Sequence, residues 1–248
     1  MNLAIFDIDG TLTRTKDVDE QCYARAVCEV AGISGMREDT AHYRHSTDAG
    51  IVEEVYEAHV GRPPTADEIA RIQTRLVARF EEAAAARPDD FAAVPGAEAA
   101  FSQLKADPDW AVAVATGCWR CSALFKLTHV GFDLDGVPVA CSDEDHQARE
   151  AVLRKAVADA CAQQGVDRFA RVVYIGDAPW DVRAARTLRI AFLGIASAPA
   201  RASALRAAGA THILPDYTDL MAFRSALENC SAPLEPQRAR RTQREEEG

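Results

Sequence analysis

Aspartates recur at the ends of apolar runs in this chain. The first run reads Ala4-Ile5-Phe6-Asp7-Ile8-Asp9-Gly10-Thr11-Leu12-Thr13, and a late one reads Val173-Tyr174-Ile175-Gly176-Asp177-Ala178-Pro179-Trp180-Asp181. Asp7 and Asp9 are two apart, so in an extended chain they project to the same side. Gly10 then lets the backbone turn sharply. Two carboxylates held together repel, more so when buried, and need a cation or a shared proton. Asp177, at another strand end, supplies a third oxygen ligand. An all-oxygen set with few carboxylates suits Mg2+, which keeps waters and leaves room for a substrate phosphate. A third run, Val112-Ala113-Val114-Ala115-Thr116-Gly117, ends in a hydroxyl and a glycine. Any one of these aspartates alone would be read as a turn former or a helix cap. Strand ends bearing such residues three times over point to a site.

The elements that must position these residues alternate. Short β-rich runs at Leu3–Phe6, Ala111–Ala115, Val137–Cys141, Val172–Ile175 and Ile190–Leu193 are interleaved with helical stretches at Ala97–Lys105, Arg149–Cys161 and Asp181–Thr187. That pattern predicts an α/β fold, a doubly wound and mostly parallel sheet with both faces covered. In such sheets sites form beyond the carboxyl ends of the strands. Residues 16–87 break the alternation, with helical periodicity and no convincing strand. Ala66–Ala86 is rich in helix formers, and Pro63-Pro64-Thr65 is a start signal. The expected organisation is a discontinuous core of residues 1–15 and 88–230 with a helical cap at 16–87. Turn residues from Arg87 to Gly96 mark the return passage, and the polar stretch 231–248 reads as a disordered tail.

The 248 residues carry a formal net charge of -10, with 38 acidic against 28 basic side chains. That balance argues against a nucleic-acid partner or an anionic membrane surface, both of which need a basic face. No apolar run approaches the roughly 20 residues that span a bilayer. Met1–Gly10 lacks a basic leader and a cleavage site and reads as a strand. The seven cysteines are therefore expected as reduced thiols in the cytoplasm.

The chain resembles the haloacid dehalogenase superfamily of hydrolases. Asp7-Ile8-Asp9-Gly10-Thr11 matches that superfamily's first motif, Thr116 its second, and Gly176-Asp177 with Asp181 its fourth. The similarity continues through Pro95-Gly96-Ala97 and Ala207-Ala208-Gly209-Ala210. It implies that Asp7 attacks phosphorus to form an aspartyl phosphate, while Asp9 protonates the leaving oxygen and later takes a proton from water. It further implies Mg2+ on an Asp7 oxygen, the Asp9 carbonyl and Asp177, with Asp181 in support. Phosphate oxygens would be held by Thr116 and by backbone at Gly10, Thr11 and Gly117. The family's dehalogenases lack the second aspartate, and its phosphonatases use a cap lysine, whereas no lysine occurs between Lys16 and Lys105. What remains is a phosphatase acting on a small phosphorylated metabolite. The alternatives are a phosphoryl-transferring mutase, or a binding protein that keeps the fold without turnover.

The third motif departs from the family, where a Lys followed by Pro is usual. Arg149 and Lys155 are the candidates, and helical phase favours Arg149. It lies on the apolar face of Val152, Leu153, Ala156 and Ala160, whereas Lys155 falls on the far side. In the cap, the polar stretch His42–Gly50 reads as a loop in which Arg44, His45 and Thr47 meet the substrate. Cys118-Trp119-Arg120-Cys121 lacks the second half of a metal site and reads as helix packing. His129, His146 and His212 read as surface or packing residues.

Overall fold

The structure is a computed structural model that describes residues 1–36, 43–143 and 145–231. The tail expected at 231–248 thus lies outside the described residues except for Ser231, as does His42 of the polar loop.

Six strands form one sheet in the order β3-β2-β1-β4-β5-β6, and every pairing is parallel. They are β1 (Asn2–Phe6), β2 (Trp110–Ala115), β3 (Val139–Ala140), β4 (Val172–Gly176), β5 (Ala191–Ile195) and β6 (His212–Leu214). β1 is central, with Phe6 opposite Val114 of β2 and Ile175 of β4. The order reverses beside β1, so the ends of β1 and β4 flank the crevice where such folds bind ligands. β3 is shorter than the run Val137–Cys141 predicts. Pro138 has no N–H to give and can only accept, from Val114 N at 2.8 Å, so strand pairing starts after it.

Alternate residues of each strand serve opposite layers. Phe6, Val112, Val114, Val173 and Ile175 pack against α4 (Ala97–Ala106), α5 (Arg120–Val130) and α9 (Leu220–Asn229). Leu3, Ile5, Ala113, Tyr174 and Phe192 pack against α6 (Arg149–Gln164), α7 (Pro179–Leu188) and α8 (Pro199–Ala208). The expected doubly wound architecture is the one observed. Among the described residues no helix is long and apolar enough to cross a membrane.

Among the described residues, three α-helices precede α4 on the way from β1 to β2: α1 (Lys16–Ala31), α2 (Asp48–Val60) and α3 (Ala66–Ala86). α3 begins where its signals place it. Thr65 and Glu68 form a capping box, a device whose loss costs about 1 kcal/mol. Its buried stripe of Ile72, Leu76, Phe80 and Ala84 faces a separate apolar cluster built mainly from α1 and α2. Trp119 enters that cluster from the sheet side, its ring 5.4 Å from Tyr23 of α1. The polar loop is shorter than the sequence suggests, because Asp48, Ala49 and Gly50 are the first turn of α2. Thr47 caps it by accepting from Gly50 N at 3.2 Å.

Candidate active site

The carboxyl ends of β1, β2 and β4 converge on a crevice of about 70 Å3 whose lining includes Asp7, Asp9, Thr116, Gly117, Arg149 and Asp177. The turn after β1 depends on Gly10. Its φ is +81°, and a Cβ there would lie 2.3 Å from Asp177 Oδ2, so only glycine lets the two strand ends approach. Gly117 serves a similar close approach, since its Cβ would stand 2.8 Å from the Ser46 carbonyl and 3.0 Å from Arg149 Nη2.

Oxygens of Asp7, Asp177 and Asp181 lie within 4.8 Å of one another, and all three residues are buried. Three cations edge this group, one of them Arg201, whose Nη1 is 3.7 Å from Asp177 Oδ2. Arg149 Nη1 donates to Asp7 Oδ1 at 3.2 Å, and its Nε is 3.5 Å from Asp181 Oδ1. Lys16 Nζ donates to Asp177 Oδ2 at 2.9 Å and stands 5.0 Å from the centre of the Trp180 ring. Burial, and then Asp181, pushes the Asp7 carboxyl well above its usual range, with Arg149 pulling the other way. Asp177 is raised too, by burial against the opposing pull of Lys16. Burial disfavours charge on Arg149, but Tyr174, Asp181 and Asp7 outweigh it and hold the guanidinium charged. Both oxygens of Asp181 are engaged: Oδ1 accepts from Tyr174 Oη at 2.9 Å and Oδ2 from Ala178 N at 3.1 Å. Its Oδ1 also faces Arg149 at ion-pair distance.

The Asp9 carboxylate turns to different partners. Oδ1 accepts from Thr15 Oγ1 at 2.5 Å, and Oδ2 accepts from Lys126 Nζ at 2.6 Å and Cys118 Sγ at 3.0 Å. Burial would raise this carboxyl, but Lys126 and these hydrogen bonds together hold it below the usual range. Lys126 also donates to Asp19 Oδ1 of α1 at 2.7 Å. Burial lifts Asp19 to about 6 despite that lysine. Nearby, Asp48 Oδ2 accepts from Trp119 N at 2.8 Å, and burial followed by the charge of Asp19 raises its carboxyl far above the usual range.

The structure thus gathers Asp7, Asp9, Thr116, Gly117, Arg149 and Asp177 around one crevice, with Asp181 fully buried behind them. Thr116 is buried and accepts from Cys118 N at 3.2 Å. Other expected residues are placed differently. Thr11 is fully buried, does not line the crevice, and its hydroxyl has no partner among the described residues. Thr47 lines the crevice, but its hydroxyl donates to the Gln147 carbonyl at 2.6 Å while capping α2. Arg44 is exposed, and neither it nor His45 lines the crevice. Lys155 pairs on the surface with Asp159 at 2.8 Å. Cys118 is more than helix packing, because its thiol donates to Asp9. His129 packs against Phe91 and Phe125, and His146 pairs with Asp143.

Lys126, Asp19, Asp48 and Lys16 escaped the sequence reading. Lys126 did leave a trace. It shares the buried face of α5 with Ser122, Ala123 and Leu127, and a lysine within such a face asks for an anionic partner.

The family model for haloacid dehalogenase-like hydrolases matches residues 1–188. The chain belongs to this family. Solved structures share its fold at low identity. A hydrolase from Pseudomonas syringae has TM-score 0.68 and 20% identity, covering 91% of this chain and 98% of its own. CbbY from Rhodobacter sphaeroides in complex with phosphate has TM-score 0.64 and 18% identity, over 91% and 98% of the two chains. A variant of that CbbY in complex with xylulose-(1,5)bisphosphate has TM-score 0.63 and 18% identity, over 88% and 95%. No curated protein matches the sequence.

Proposed function

We propose that this family member is a Mg2+-dependent phosphatase that hydrolyses a small phosphomonoester through a phosphorylated Asp7. The observation that carries the reading is the buried group Asp7, Asp177 and Asp181, three carboxylates gathered at one place with Arg149, Lys16 and the half-exposed Arg201 at their edges. A nucleophilic Asp7 must be ionised, yet its surroundings favour the proton. A divalent cation among all-oxygen donors resolves that conflict, and the residues present fit one. Asp7 and Asp177 would hold the ion by their side chains, and Asp9 by its main-chain carbonyl, since its carboxylate is engaged elsewhere. When bound, the ion would neutralise phosphate charge and draw density from the phosphorus.

The chain's own groups account for the remaining steps. Asp7 Oδ attacks phosphorus, and Arg149 offsets the charge of the transferring group from its place beside Asp181. Lys126 and the hydrogen bonds to Asp9 hold its carboxyl ionised in the free protein. Asp9 takes up a proton as the charge of the phosphate enters, gives it to the departing alkoxide and later takes one from the water that hydrolyses the acyl phosphate. Thr116 and the backbone at Gly117 hold phosphate oxygens. Helices α1 to α3 act as a cap that excludes water. A cavity of about 510 Å3 shares Asp19, Glu20, Asp48 and Ile51 with the crevice and extends between α1 and α2. It would seat the organic part of the ester, and its size suits a small metabolite. The phosphate and bisphosphate bound by CbbY support this substrate class. Phosphate release from a panel of phosphorylated metabolites, with Mg2+ and with EDTA, tests the reading. Turnover that persists in EDTA, or none on any ester, overturns it.

A further inference from the structure

Lys126 is fully buried and absent from the lining of the crevice. Its ammonium lies 2.6 Å from Asp9 Oδ2, 2.7 Å from Asp19 Oδ1 and 3.1 Å from Cys118 Sγ. The Phe80 ring, 5.6 Å away, covers it as well. The three N–H donors of an ammonium therefore have three partners, from the turn after β1, helix α1 and the turn after β2. With no donor to spare and no face toward the crevice, Lys126 is not a proton source for a substrate. Nor is the group Asp9, Asp19 and Cys118 a metal site, because the ammonium already stands among those ligand atoms.

We propose that Lys126 is a positioning residue for Asp9, one that ties the aim of this acid–base group to helix α1 through Asp19. The inference rests on the phosphatase reading above, in which Asp9 moves the proton. A carboxylate oxygen accepts about two hydrogen bonds. Oδ2 of Asp9 has two donors, Lys126 and Cys118, whereas Oδ1 has only Thr15. Lys126 thus fixes Oδ2 on the protein side and leaves Oδ1 as the oxygen with capacity for the substrate. A carboxylate gripped at one oxygen cannot swing away, which matters because misplacement by about 1 Å can cost a hundredfold in rate. The Asp19 arm makes that grip conditional on α1, so the helix that encloses the substrate also sets the acid.

The test is a mutant cycle of Lys126→Met and Asp9→Asn, read as kcat/KM on an alkyl phosphate and on p-nitrophenyl phosphate. This constant reports steps through leaving-group departure, where an alkoxide needs a proton and nitrophenolate hardly does. Lys126→Met should lower kcat/KM for the alkyl ester roughly ten- to hundredfold, a share of the general acid contribution, and for the aryl ester far less. In the Asp9→Asn background, Lys126→Met should change the residual alkyl-ester rate by under about twofold, as expected when two residues act as one unit. Equal losses on both esters, or the same loss with and without the Asp9 carboxylate, would mean that Lys126 only supports the fold and would overturn the proposal. Should Lys126→Met fail to give a cooperative melt, Lys126→Gln, which keeps an N–H donor at similar reach, takes its place in the cycle. A wild-type enzyme inactive on every ester would remove the phosphatase reading and this inference together. Activity with equal losses removes this inference alone.

Discussion

Two buried acid clusters stand side by side in this molecule, built from the same residue types and solved differently. Around Asp7, Asp177 and Asp181 the cations Arg149, Lys16 and Arg201 come in from the edges, and Asp7 and Asp177 line a shared crevice. Around Asp9, Asp19 and Cys118 a lysine ammonium occupies the middle. One cluster is arranged to receive charge from outside, and the other already contains it. Acidic residues brought together do not by themselves mark a metal centre. What decides is whether the chain has put its own cation among them.

The comparison breaks most visibly at the first cluster. Asp7→Asn should reduce hydrolysis to background, with no phosphoenzyme trapped by rapid quench. Asp177→Asn should raise the Mg2+ concentration for half-maximal rate by more than about a hundredfold, beyond what loss of an outer partner does. Asp19→Asn, which touches the lysine-filled cluster, should leave that Mg2+ requirement within about threefold. A matching rise for Asp19→Asn would show that both clusters answer to the metal.

Arg149→Ala should come next, cutting turnover about a hundredfold or more, the scale of losing a preorganised charge stabiliser. Lys155→Ala, on the same helix but paired at the surface with Asp159, should be silent in rate and shift stability by under about 1 kcal/mol. The reverse pattern in steady-state kinetics would move the third-motif cation to Lys155. For the filled cluster the large effect should be in stability. Lys126→Met strands two carboxylates and should cost about 3–5 kcal/mol, read from urea unfolding. A loss below about 1 kcal/mol would mean that the ammonium is dispensable there. The smallest effect is expected for Arg44→Ala with His45→Ala, which should change kcat/KM by less than about twofold, since neither side chain lines the crevice.

How much of this was legible in sequence depended on distance along the chain. Asp7, Thr116 and Asp177 could be read because each ends an apolar run, and parallel strands bring such ends together. Arg149 could be read from helical phase alone, as Val152, Leu153 and Ala156 fix the inward face of α6. The start of α3 followed from Thr65 and Glu68, which satisfy each other locally. The Lys126 network was out of reach, because its partners Asp9 and Asp19 lie more than a hundred residues away and only the tertiary fold joins them. Thr47 is a different case. Its type suits a substrate contact, but helix initiation and the Gln147 carbonyl claim its hydroxyl first.

Trp119 gives the seam between sheet and helices an optical consequence. The residue is 2% exposed and its ring faces Tyr23, while its backbone N–H donates to Asp48 at the head of α2. Buried indoles emit at shorter wavelength than wetted ones, so any separation of α1 and α2 from the sheet would redden the emission of this residue. The other two tryptophans sit elsewhere, Trp110 at the start of β2 and Trp180 beside Lys16. Replacing both with phenylalanine would leave a single native tryptophan at that boundary, a built-in gauge of any opening that requires no attached dye.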